Sequence, residues 1–171
     1  MMINLKRVMT FGFLALLLGV AMAVFPSNGT VSAHTTVAAA SCTYNGCDHQ
    51  SPVSTGCQNT AVIEHSSSGT IDNGIGITIQ LQFSTACHAA WGRVVFSKTL
   101  PSGYQGYAEL YRITDGADVL CSNSGGDGDV LPGQSICYTP MLGDGPSQST
   151  AAFGWYCVND GCNAPVSTNS F

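Results

Sequence analysis

The sequence predicts an all-β fold, a small disulfide-stapled antiparallel sandwich or barrel. Three observations lead there. First, Ile75, Ile77, Ile79, Leu81 and Phe83 alternate with Gly76, Thr78, Gln80, Gln82 and Ser84, the period of a strand with one buried and one wet face. Second, the chain carries eight cysteines, all beyond an apolar leader, and an even count in an exported chain implies a disulfide framework. Third, the apolar stretches after the leader are short, show no helical period and are separated by Gly, Pro, Asn and Asp turns, as in a small antiparallel β domain.

The leader comes first in the chain. Lys6 and Arg7 precede a nearly unbroken apolar run from Val8 to Phe25, the basic and hydrophobic regions of a secretory signal peptide. Val31-Ser32-Ala33 supplies the small residues that signal peptidase accepts. Residues 1–33 are therefore expected to be removed, leaving 34–171 as a single secreted β domain with a loop-rich N-terminal part. Ala23 and Ala40 are competing cleavage sites, and an uncleaved anchor is the alternative, since the run is long enough to span a bilayer. After cleavage, Arg93, Lys98 and Arg112 face all ten acidic residues, a formal charge near minus seven. Such a surface repels phosphate backbones and anionic lipid, so neither nucleic acid nor, after signal cleavage, membrane is an expected partner.

The cysteines are Cys42, Cys47, Cys57, Cys87, Cys121, Cys137, Cys157 and Cys162. Their connectivity is not readable from spacing alone. Two segments nevertheless share one pattern, with Asn45-Gly46 ahead of Cys47 and Asp160-Gly161 ahead of Cys162. These dipeptides favour tight turns with positive φ, which would join Cys42 to Cys47 and Cys157 to Cys162. The Gly/Ser/Asp-rich loop between Cys121 and Cys137 suggests that those two pair, which leaves Cys57 with Cys87. Zinc held by the two C-x4-C pairs is the alternative, disfavoured by the spacing and by export.

From His34 to Ser68 the composition is polar and aperiodic, read as a cysteine-pinned loop with Val62 and Ile63 as a short strand. The alternating strand follows Asn73-Gly74, and a second strand follows Trp91 through Val94 and Phe96. A third runs from Tyr104 to Ile113, and Asp115-Gly116 turns it into Val119-Leu120-Cys121. Short strands are expected at Ser135 to Tyr138 and at Ala151 to Val158.

Cys42-x4-Cys47, then Ser51-Pro52 and Gly56-Cys57, then Phe83-Ser84-x-x-Cys87-His-Ala-Ala-Trp91-Gly-Arg93 resemble a small bacterial family known as domain of unknown function 2690. That family carries a C-x4-C, a Gly-x-Asp-Pro ahead of Gly-Cys, an Arg-Tyr-Ser segment and Cys-x-Ala-Ala-Trp-x-Arg. The chain departs from it with Ser51 in place of aspartate, and with Gln82 and Phe83 in place of arginine and tyrosine. The match covers Cys42 to Tyr111. The resemblance implies an exported domain and brings no catalytic residues with it.

No catalytic residue can be assigned, and His88 is the one candidate. Thr85-Ala86-Cys87-His88 and Asn123-Ser124-Gly125-Gly126 faintly resemble the histidine and serine boxes of chymotrypsin-like proteases. The cysteine, however, precedes the histidine, Asn123 stands where an aspartate belongs, and no acid can be named to orient the base. A surface histidine beside a disulfide is the plainer reading.

No cofactor is expected. Metal binding has two candidates: His34, which cleavage would make the amino terminus and a ligand for copper beside His49, His65 or His88, and Asp127 with Asp129 for calcium. The Asp127-Gly128-Asp129 run lacks the ordered ligands of an EF-hand, so turn aspartates are the ordinary explanation, as they are for Asp115 and Asp118 in what read as loops.

The third candidate is a ligand platform. Tyr107, Glu109 and Tyr111 share one strand face while Ala108 and Leu110 share the other, so exposed tyrosines there would stack on sugar or peptide; cross-strand aromatic packing is the plainer reading. Trp91 is expected in the core beside a disulfide, and so is Trp155, which alternates with Phe153 and Cys157.

The leading expectation is a secreted binding or structural domain at or outside the cell envelope, its partner a cell-wall glycan or another extracellular protein. The alternative is an extracellular hydrolase using His88 and loop carboxylates.

Overall fold

The computed structural model describes residues 39–159 and 161–171. The expected leader, its cleavage points after Ala23 and Ala33, His34 and Asp160 lie outside the described residues. The fold of the described residues is all-β: ten strands in two antiparallel sheets, with three short 3-10 turns. The strands are β1 (Ala61–Ile71), β2 (Ile75–Ser84), β3 (Ala89–Phe96), β4 (Tyr104–Arg112), β5 (Ala117–Leu120), β6 (Ile136–Tyr138), β7 (Leu142–Gly143), β8 (Thr150–Val158), β9 (Gly161–Cys162) and β10 (Val166–Ser167). The first sheet runs β1-β2-β3-β6, with β7 also on β3; the second runs β10-β8-β4-β5, with β9 on β8.

The alternating segment is β2, the strand next to the edge of the first sheet. Ile75, Ile77, Ile79 and Leu81 turn inward and are buried, and Phe83 is partly buried at the end of the row. From the facing sheet Ala108, Leu110, Ala152 and Tyr156 complete the core. Small inner-face residues let the sheets approach closely. A Cβ on Gly106 would collide with the Phe96 ring, so glycine is required there by the opposite sheet.

The N-terminal part departs from expectation. The loop ends at Thr60, and β1 continues for eleven residues, paired with β2 along its whole length apart from one bulge between Ile63 and His65. Its Ser and Thr residues hid it, because an edge strand is held by backbone bonds and polar pairs rather than by an apolar face. The Ser68 and Thr78 hydroxyls, 2.9 Å apart, form such a pair. The reversal into β2 uses Asn73 and Gly74, at φ of 61° and 65°.

Other boundaries shift less. β3 begins at Ala89, ahead of Trp91, and Asp118 lies in β5 rather than in a loop. The two-residue strands β7, β9 and β10 are too short to leave a periodic signal.

Four disulfides join Cys42 to Cys47, Cys57 to Cys87, Cys121 to Cys137 and Cys157 to Cys162. Cys47, Cys57 and Cys87 form a second small core with Ala89, Met141 and Trp91, which is 2 % exposed. Trp91 thus packs beside a disulfide, as expected. Trp155 is not in the core: the inward face of β8 is Ala152, Gly154 and Tyr156, which leaves Phe153 and Trp155 half-buried on the outer face, where Trp155 lines a groove with Cys162 of the Cys157–Cys162 disulfide.

Candidate functional site

The outer face of the second sheet gathers aromatic residues from two adjacent strands. On β4, Tyr107, Glu109 and Tyr111 alternate with the buried Ala108 and Leu110 and are each half-buried. Antiparallel register sets Tyr107 opposite Trp155 and Glu109 opposite Phe153. The Tyr107 and Trp155 rings stack at 5.4 Å with a 14° interplanar angle. Sheet pleat alone therefore brings four aromatic rings and one carboxylate onto one surface.

Beside them lies a groove of about 530 Å³ whose walls include Glu109, Tyr111, Phe153, Trp155, Asn163 and Pro165. The Asn163 and Pro165 wall comes from the segment between β9 and β10, which carried no sequence signal of a site. Burial pushes the Glu109 carboxyl above its ordinary range, and Asp118 on the neighbouring strand adds repulsion in the same direction. Glu109 is thus easier to protonate than a free carboxyl.

His88 stands elsewhere, in the turn between β2 and β3. It shares a cavity of about 350 Å³ with Tyr44, Phe83, Asp144, Gln148 and Phe171. Its ring stacks on Tyr44 at 4.6 Å. Asp144 is the nearby acid, but its Oδ2 accepts from the Thr150 hydroxyl at 3.0 Å, and its backbone N–H donates to the His88 carbonyl at 2.9 Å. Among the described residues no carboxylate hydrogen-bonds the His88 imidazole, so a base oriented by an acid is not assembled there. Asn123, the stand-in for the aspartate, accepts instead from the Leu120 N–H at 2.7 Å.

The aspartates proposed for calcium hold the polypeptide. Asp127 accepts from the Tyr138 N–H at 2.7 Å, and Asp129 accepts from the Gln105 amide at 3.2 Å. Burial raises the Asp127 carboxyl, a direction that opposes holding a cation-binding charge. Among the described residues, one group of three or more potential metal ligands comes together: Cys42, Cys47, Cys57 and Cys87. All four are in disulfides. The first C-x4-C pair is therefore gathered with Cys57 and Cys87, not with Cys157 and Cys162 as the zinc alternative required.

The family model described as protein of unknown function (DUF2690) matches residues 45–153. The chain belongs to this family. The DUF2690 match reaches well beyond Tyr111, through β8 as far as Phe153, and takes in Tyr107, Glu109, His88 and Asp144 but stops short of Trp155. A relative, the uncharacterized protein YjfA of Bacillus subtilis (strain 168), is 37% identical over 111 residues, which are 64% of this chain and 70% of that protein. No solved structure matches. Among the described residues of this DUF2690 chain, no helix is long and apolar enough to cross a membrane.

Proposed function

We propose that this domain is exported and acts at or outside the cell envelope as a binding domain, its ligand a neutral cell-wall glycan laid along the outer face of β4 and β8. The carrying observation is the row of half-buried rings, Tyr107, Tyr111, Phe153 and Trp155, set around Glu109 on a rigid sheet. Sugar rings present flat C–H faces to aromatic rings and hydroxyls to their edges. The Glu109 carboxyl and the Asn163 amide supply polar contacts at the groove wall. Four disulfides fit an oxidising compartment. The acidic balance of the chain, ten carboxylates against five basic residues, disfavours anionic wall polymers and favours the uncharged glycan strand.

The test is co-sedimentation of the disulfide-intact protein with purified peptidoglycan, in parallel with Trp155→Ala and Glu109→Gln. Retention of the wild type and its loss in Trp155→Ala is the expected result. A wild type that stays in the supernatant on peptidoglycan and is blank on a glycan array removes the reading.

A further inference from the structure

We infer that the cavity around His88 is a second ligand site, shaped for an organic ammonium cation. It lies apart from the aromatic groove and does not depend on that reading. Four rings line it. Tyr44 and His88 are stacked at 4.6 Å with a 4° interplanar angle, and Phe83 stands edge-on to His88 at 6.2 Å. Phe83 in turn meets Phe171 at 5.3 Å, tilted by 56°. The acid among them, Asp144, is only 6 % exposed. Its Oδ2 is taken by the Thr150 hydroxyl, and no described donor bonds its Oδ1.

Aromatic rings and a carboxylate lining one cavity are the elements that hold alkylammonium groups, through the ring quadrupoles and the carboxylate charge. The cavity of about 350 Å³ suits a small head group. The nearby cation, Arg112, donates to Asp48, Asp115 and the Gly143 carbonyl. It leans electrostatically on Asp144 without bonding it, while Glu64 adds negative charge.

The backbone supports a built site. Tyr44 and His88 both hold left-handed φ, 49° and 50°. Non-glycine residues enter that region only where their surroundings enforce it, and such outliers cluster at ligand clamps. Here the enforcement is visible. The Tyr44 N–H donates to the Cys87 carbonyl at 2.7 Å; Tyr44 lies within the loop closed by Cys42–Cys47, and His88 follows Cys87 of the Cys57–Cys87 disulfide. The backbones that carry the two stacked side chains are therefore tied together close to the cross-links.

The experiment is an NMR titration of the oxidised protein with choline chloride, with n-butylammonium as a primary-amine probe and 3,3-dimethylbutanol as the uncharged isostere of choline. Choline should give saturable shifts at Tyr44, Phe83, His88 and Phe171, with affinity about tenfold above the uncharged isostere. Asp144→Asn and the loop variant Tyr44→Leu should each weaken choline about tenfold, while Trp155→Ala leaves it unchanged. Tighter binding of butylammonium than choline assigns a primary amine and also supports a cation site. Equal binding of the uncharged isostere, an unchanged choline affinity in a folded Tyr44→Leu variant, or no saturable shift with either cation overturns the inference.

Discussion

Arg112 grips Asp48 with both ends of its guanidinium, Nη1 to Oδ1 and Nη2 to Oδ2, each at 3.0 Å. The same side chain reaches Asp115 through Nε at 3.0 Å and Nη2 at 2.8 Å, and the Gly143 carbonyl at 3.1 Å. The residue is 4 % exposed. Its hydrogen bonds to Asp115 raise its pKa further, so it stays charged, and its partners fix the cysteine-rich N-terminal loop to the end of the second sheet. Removing one member of such a group leaves an uncompensated charge. Arg112→Met should lower the unfolding free energy by about 2 to 3 kcal/mol in urea titrations, because the two carboxylates it leaves are partly exposed to water, whereas Asp48→Asn, which keeps one acceptor oxygen, should cost less.

The long cross-link matters more than the short ones. Cys57 and Cys87 are separated by 30 residues, and Cys157 and Cys162 by 5. In the chain-entropy model their closure stabilises by about 4 and about 2 kcal/mol respectively. The double variant Cys57→Ser/Cys87→Ser should therefore melt well below Cys157→Ser/Cys162→Ser in calorimetry. The reverse order would mean that native strain or residual unfolded-state structure governs instead.

Stability should respond to pH in two opposite ways. The Glu109, Asp127 and Asp144 carboxyls are raised, burial being the first cause in each. A raised folded-state pKa penalises folding above that value, and the penalty fades as pH falls toward the unfolded pKa. Asp115 runs the other way, lowered first by its hydrogen bond from Arg112. Its contribution holds above the unfolded value of 3.8 and is lost as pH drops through the folded one. Tm should thus rise on mild acidification from about pH 7 and fall again below about pH 4. Asp144→Asn should flatten the rise.

Two tryptophans report on different places. Trp91 is sealed beside the disulfides, while Trp155 stacks on Tyr107 at the groove. N-acetylglucosamine oligomers should shift the fluorescence of the wild type and leave Trp155→Phe silent. A shift that survives in Trp155→Phe would place the ligand away from this face.

Close approach of the sheets makes Gly106 intolerant. Gly106→Ala pushes a methyl into the Phe96 ring, and overpacking of this kind costs about 1 to 3 kcal/mol. Phe96→Leu in the same chain should recover part of the loss, measured by urea midpoints.

The legible parts of this fold were those where one physical signal dominated. Ile75 to Leu81 alternate because one face meets the core and the other does not, and that is visible residue by residue. β1 was hidden because its Ser67, Ser68, Gly69 and Thr70 are joined to β2 mainly by backbone bonds, which leave no mark on side-chain choice. The face shared by Phe153 and Trp155 was readable, yet its direction was not. Opposite Phe153 and Trp155 the inward residues of β8, Ala152 and Gly154, are small because the sheets approach closely there, so these two bulky residues are turned out. Asp144 had no sequence signature at all: it is held by hydrogen bonds with the His88 carbonyl and the Thr150 hydroxyl that only the fold brings within reach. His88, opaque in sequence, gains a setting only when Tyr44, distant in the chain, is folded against it.

The bulge in β1 bears on how copies of this protein meet. Glu64 is the extra residue there and the only formal charge on that strand. Val62 and Ile63 beside it are 43% and 54% exposed, at the open end of the sheet order. Kinks and charges at such a margin obstruct edge-to-edge pairing. A second molecule could zip onto this margin only by straightening the kink and stripping water from a carboxylate. A single acidic residue therefore guards this margin against edge-to-edge self-association.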